Sequence, residues 1–198
     1  SRSIAELQNL TNAQILSDLT VMQRVLTEDS SSGSSSVTSD IFSSQGTLLA
    51  ESDPEKILST LSNKITKDFP PYPQIHTQIK YVQKSMEEYL SPAFYMIPAI
   101  DNTSENVIYI NKGHITDNLS LFTTFAHEGY PGHLYQNVYY ASLHPNPIRC
   151  VLNYGGYTEG WAYYAENLSY DYARELAVHN PHAAAYYEAC RLNRNLHL

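Results

Sequence analysis

The sequence predicts a mainly α-helical protein with a small two-stranded β element placed just before its most polar helix. Three observations carry this. Apolar residues recur at threes and fours over long stretches. Two short segments, FYMI and NVIYI, are rich in aromatic and β-branched residues and bounded by Pro, Asn and Gly. The second half contains TEGWAYYAENLSYDYARELA, about five helical turns long, behind a Gly-Gly pair.

In chain order, Leu7, Leu10, Leu19, Met22 and Leu26 give residues 1–26 helical spacing and an N-terminal helix. Residues 27–52 contain TEDSSSGSSSVTSD, which lacks apolar anchors and predicts a flexible loop. SDPEKILSTLSNKI starts a new helix at residue 53. Asp53 caps it, Pro54 suits the first turn, and Glu55 complements the positive end. FPPYP at 69–73 stops that helix, because proline disfavours helix at the residue before it. Residues 74–90 are expected to form another helix. The two strands follow, and helical pattern returns near residue 117. HPNPIRCVLNYGG predicts a turn, a short helix begun by Asn146-Pro147, and a glycine break. NPHAAAYYEACRLNRNLHL predicts a last helix capped by Asn180 and begun by Pro181. It reaches Leu198 in register with no stop signal, which points to a fragment of a longer chain, with region 53–198 cut short on its C-terminal side.

The chain has 198 residues, 42% of them hydrophobic, enough for one sizeable core. A formal net charge of -8 without a basic tract excludes a nucleic-acid partner. No apolar run approaches the roughly 20 residues of a membrane span. Cys150 and Cys190 are too few for a disulfide scaffold and read as two separate thiols. A cytoplasmic chain and an exported one that has lost its leader both fit. Tyrosine is frequent, with 17 copies, several of them around residues 130 and 160. Its ring and hydroxyl suit a polar cleft as well as a plain helix interface.

The stretch with chemistry is TTFAHEGYPGHLYQ, residues 123–136. In a regular helix, His-Glu followed by a histidine one turn on places two imidazoles beside one metal ion, with the glutamate beside its bound water. Here Pro131 occupies that second position and the histidine arrives at His133. Six residues on a regular helix leave His127 and His133 about 120° apart and about 9 Å apart in rise. They share an ion only if the backbone deforms. Pro131 breaks the bond to the carbonyl four residues back, and Gly132 is free to take unusual conformations. A bulge of the helix is the expected solution. Glu159 is the best third ligand, a carboxylate at the start of the next long helix, giving a His₂Glu set. Glu128 is the candidate general base. Glu166, seven residues after Glu159, lies on the same helical face and is either a solvated residue or a partner that orients a histidine. Gln136, Tyr130 and Tyr157 are candidate hydrogen-bond donors near the metal. His144, His179 and His182 read as surface or loop residues, with His144 the remaining rival ligand. His76 and His114 belong to no pattern.

These residues resemble a known family. HEGYPGHLYQ is similar to the H-E-x-x-P-G-H-x-x-Q motif of the bacterial family called domain of unknown function 885. TEGWAYYAE is similar to its second motif, E-G-W-A-x-Y-x-E, and SPAFYMIPAIDN with NVIYIN is similar to the segment before the first. The similarity covers roughly residues 50–198. It implies a helical fold related to zinc metallopeptidases, with region 53–198 as the catalytic region. It implies Zn²⁺ on His127, His133 and Glu159, with Glu128 as general base. It also implies a longer protein, since members continue beyond the equivalent of Leu198.

The expected function is therefore a zinc-dependent peptidase acting on a peptide or small amide, with Glu128 and a Tyr157 hydroxyl in catalysis. The alternatives are a non-catalytic helical binding or scaffold module on the same fold, and a purely structural metal site.

Overall fold

The computed structural model describes residues 2–28, 49–99, 102, 104–146, 148–152, 154–177 and 183–197. Most of the serine-rich loop, the Asn180-Pro181 cap, His179, His182 and the Cys150 side chain lie outside the described residues.

The elements in order are α1 (Ile4–Glu28), α2 (Pro54–Lys64), β1 (His76–Tyr81), β2 (Ala93–Met96), β3 (Glu105–Ile110), α3 (Asn118–Glu128), α4 (His133–Ser142), α5 (Ile148–Val151), α6 (Gly155–Leu176) and α7 (Ala183–Leu196). Short 3-10 turns cover Ile65–Lys67 and Lys84–Tyr89. The protein is mainly helical with one small sheet. No helix among the described residues is long and apolar enough to cross a membrane. The chain divides into two compact units, Ser1–Leu48 with Arg174–Leu198, and Leu49–Ala173.

In the first unit, α1 packs on α7. Ser3 and Glu6 close the start of α1 reciprocally. The Ser3 backbone N–H donates to the Glu6 carboxylate at 2.7 Å, and the Glu6 N–H donates to Ser3 Oγ at 3.2 Å. Tyr186, Tyr187, Ala189 and Leu192 of α7 are buried. Asp18 of α1 is also buried and accepts from Gln14 Nε2 at 2.8 Å and from Asn195 Nδ2 at 3.4 Å.

The second unit carries the chemistry. Its α2 starts as the sequence predicts: Asp53 accepts from the Glu55 N–H at 3.0 Å and Pro54 is in the first turn. Ile57, Leu58 and Leu61 form its buried face. The sheet has order β1-β3-β2, with β1 parallel and β2 antiparallel to β3. Asn106, Ile108 and Ile110 alternate inward along the central strand.

Two expectations are corrected here. Residues 74–90 do not form a helix, and the β element has three strands rather than two. Ile75, Thr77 and Ile79 alternate at period two, and all three are half-buried. β-branched residues in that pattern fit a pleated surface, and β3 supplies the partner edge. Residues beyond Tyr81 contribute only the 3-10 turn. The glycine break before α6 is also absent: Gly155 and Gly156 are its first two residues, with open space where a side chain would be.

Candidate metal centre

α3 is set by Asp117, which accepts from the Ser120 N–H at 2.8 Å. The helix buries Phe122, Phe125 and Ala126 and ends at Glu128. The expected bulge is replaced by a complete break between two helices. The Gly129 N–H still donates to the Phe125 carbonyl at 2.8 Å. The chain then turns through a cis Tyr130–Pro131 peptide, and α4 begins at His133. The Gly132 N–H returns to the Ala126 carbonyl at 2.9 Å, and the Tyr135 N–H to the Gly129 carbonyl at 3.2 Å.

Two glycines permit this because their surroundings leave no room for a side chain. A Cβ on Gly132 would lie 1.7 Å from the His127 carbonyl oxygen and 2.4 Å from that of Ala126. A Cβ on Gly129 would lie 2.6 Å from Leu58 Cδ1 and 2.7 Å from the Phe125 carbonyl oxygen. The indole N–H of Trp161, on α6, donates to the Pro131 carbonyl at 2.8 Å and anchors the turn. The result places the His127 and His133 rings 5.0 Å apart between centroids, at 80° to each other.

Glu159 comes to them from α6. Its Oε2 lies 3.7 Å from His127 Nε2 and 3.6 Å from His133 Nε2. One ligating atom from each of the three residues falls within 4.8 Å of the others, so the group can hold a metal ion. Donors about 2.1 Å from a tetrahedral ion stand about 3.4 Å from one another, so the two spacings from Glu159, 3.7 and 3.6 Å, need only slight contraction. Two imidazoles and a carboxylate are a suitable donor set for zinc.

Glu166, one of the two readings open from the sequence, is buried and its Oε2 lies 3.0 Å from His127 Nδ1. That pairing assigns a proton to Nδ1 and makes Nε2 the nitrogen turned toward Glu159. Glu128 Oε2 accepts from the Tyr95 backbone N–H of β2 at 2.8 Å, and its Oε1 lies 3.9 Å from His127 Nε2. Tyr95 is fixed in turn: its hydroxyl donates to Asn106 Oδ1 at 2.6 Å and accepts from Asn137 Nδ2 at 3.1 Å. Burial pushes that hydroxyl up to about 12.

Three carboxylates crowd two imidazoles. Burial raises the Glu128 carboxyl above its ordinary range, and the charges of Glu159 and Glu166 add to this; the Tyr95 N–H and His127 oppose it. For His127, burial favours the neutral ring, but the Glu166 hydrogen bond and the charges of Glu128, Glu166 and Glu159 outweigh it and raise the ring above its usual value. His133 is lowered by burial and by His127, against the pull of Glu159. A cation in the group relieves this excess of negative charge.

Tyr157 stands apart from the group. It is 71% exposed in the first turn of α6. Two residues before Glu159, it lies about 200° away around the helix. Tyr130 is buried with its ring 5.2 Å from that of Tyr72. His76, His114 and His144 are exposed and belong to no metal group among the described residues. The hold of Tyr95 on Glu128 has no sequence signal, since it joins a backbone N–H to a side chain 33 residues away.

A family model described as "Bacterial protein of unknown function (DUF885)" matches residues 40–184. No curated protein matches the chain. A crystal structure described as "the putative lipoprotein from Colwellia psychrerythraea" is similar in fold, with a TM-score of 0.71 and 19% sequence identity. The similarity covers 98% of this chain and 35% of the other, so the chain spans about a third of that protein's length.

Proposed function

The chain belongs to the bacterial family of unknown function DUF885, and from that premise we propose that it carries the metal-binding site of a zinc-dependent peptidase. The observation that carries the proposal is the convergence of His127, His133 and Glu159 within 4.8 Å, beside the half-buried Glu128 carboxylate. His127 and His133 would hold the ion through Nε2 and Glu159 through a carboxylate oxygen. Zinc bound there would acidify a water and polarise the scissile carbonyl.

Glu128 has the properties of the proton carrier. Its Oε2 is fixed by the Tyr95 N–H, while Oε1 faces His127 Nε2. It takes a proton from the attacking water and delivers it to the leaving amine. Glu166 keeps the His127 ring in one tautomer and orientation. The Glu159 side chain is 66% exposed, so the group opens to solvent. The substrate class is a peptide or small amide.

The test is zinc content and peptide turnover in a protein containing this chain at its full natural length. Glu128→Gln should retain zinc and lose about 10²–10⁴-fold in turnover. Undiminished turnover removes Glu128 from the mechanism. A wild-type protein that takes up no zinc supports the helical binding module instead.

A further inference from the structure

We propose that the outer edge of β2, at the Tyr95 carbonyl and the Ile97 N–H, binds an extended peptide as an added strand. As a substrate position this rests on reading the neighbouring His127–His133–Glu159 group as a peptidase centre. As a peptide-binding edge it stands on the sheet alone.

β2 is an edge strand in the order β1-β3-β2. Its pairing with β3 fixes which backbone groups point away from the sheet. Residues across an antiparallel pair alternate between those that exchange hydrogen bonds and those that do not. The Asn111 N–H donates to the Pro92 carbonyl at 2.8 Å, which starts the bonded set. Phe94 with Tyr109 and Met96 with Val107 continue it. Tyr95, opposite Ile108, belongs to the other set, and its N–H points outward to Glu128 Oε2 at 2.8 Å. A trans peptide holds its C=O and N–H in opposite directions. Met96 turns both of its backbone groups to β3, so the Tyr95 carbonyl and the Ile97 N–H both face outward.

Neither group has a partner among the described residues. Met96 is 50% and Ile97 68% exposed, so this edge is open to a ligand. It is bounded at both ends. Glu128 takes the Tyr95 N–H, and the Ala99 carbonyl accepts from the Asn102 N–H at 3.0 Å. An unpaired edge of this length suits a few residues of extended chain. The Tyr95 carbonyl and the Ile97 N–H are matched by one N–H and one C=O of such a chain. A peptide laid there passes the candidate metal group. The Glu128 carboxylate that ends the edge also places its Oε1 3.9 Å from His127 Nε2.

The probe is acetyl-Thr-Val-Thr-Val-amide, whose β-branched residues favour an extended chain. Its binding is measured by calorimetry on the protein at its full natural length, without added zinc so that the probe is not cleaved. Ile97→Pro removes the N–H, and an edge strand tolerates proline. Ile97→Ala keeps the N–H and shortens the side chain. We expect Ile97→Pro to bind the probe about tenfold more weakly than Ile97→Ala. In wild type, the probe should protect the Ile97 amide from hydrogen exchange, a measurement that decides the matter if Ile97→Pro does not fold. Equal affinity in the two folded variants, or Ile97 exchange unchanged by the probe, overturns the assignment. Zinc uptake by the same protein separates the two readings. Zinc bound without probe binding overturns the edge site and leaves the metal reading standing. Probe binding that depends on the Ile97 N–H, without zinc uptake, upholds the edge site and overturns the peptidase reading.

Discussion

The indole N–H of Trp161 donates to the Pro131 carbonyl at 2.8 Å, joining the two segments that carry the candidate ligands. Trp161 sits two residues after Glu159, and Pro131 two before His133. The bond, with ring contacts to Phe69 and Tyr135, sets where α6 lies relative to the turn. Trp161→Phe preserves most of the ring packing and removes the bond. It should cost about 1–3 kcal/mol in denaturant unfolding and weaken zinc binding through displacement of Glu159.

Gly132→Ala should be more severe. The added Cβ meets two backbone carbonyls, at 1.7 and 2.4 Å, and backbone cannot rotate away as a side chain can. The expected loss is about 3 kcal/mol or more. If the variant folds, His133 should be displaced and zinc affinity lost. Near-wild-type melting and zinc binding would mean that the turn is not built this way.

Glu166→Gln tests the orientation of His127. The amide can still accept from Nδ1 but lacks the charge. Loss of an outer partner to a metal-binding histidine typically costs about 10–100-fold in affinity. Zinc affinity should fall in that range while the helical circular dichroism is retained.

Tyr95→Phe removes the buried hydroxyl between Asn106 and Asn137. Unfolding should show a loss of about 1–3 kcal/mol. Glu128 is held by the Tyr95 backbone, which the substitution leaves in place, so zinc affinity should change little.

The sequence made some of this legible because the signals were local. Asp53-Pro54 marks a helix start whatever surrounds it, and the structure has that cap. The seven-residue spacing of Glu159 and Glu166 places both on one face of α6, and both reach the His127 ring. Helix arithmetic on HEGYPGH requires a departure from a regular helix if His127 and His133 share an ion. It did not distinguish a bulge from a break, because Trp161 and the carbonyls of Ala126 and His127 define the turn. The sequence of β1 is ambiguous for a similar reason. Ile75, Ile79 and Val82 satisfy helical spacing as well as Ile75, Thr77 and Ile79 satisfy alternation, and pairing with β3 decides. Tyr157 suits the site by residue type, but two residues before Glu159 the helix places it about 200° away around the axis.

Zinc stoichiometry and affinity, measured by equilibrium dialysis and atomic absorption, decide whether His127, His133 and Glu159 share one ion. Wild type, His133→Ala and Glu159→Ala are compared at one pH. One zinc per chain is expected in wild type, with each substitution weakening binding by more than the roughly 10–100-fold cost of losing an outer partner. Wild-type affinity retained in both variants would contradict the shared site, and no zinc uptake by the wild type would contradict the metal centre itself.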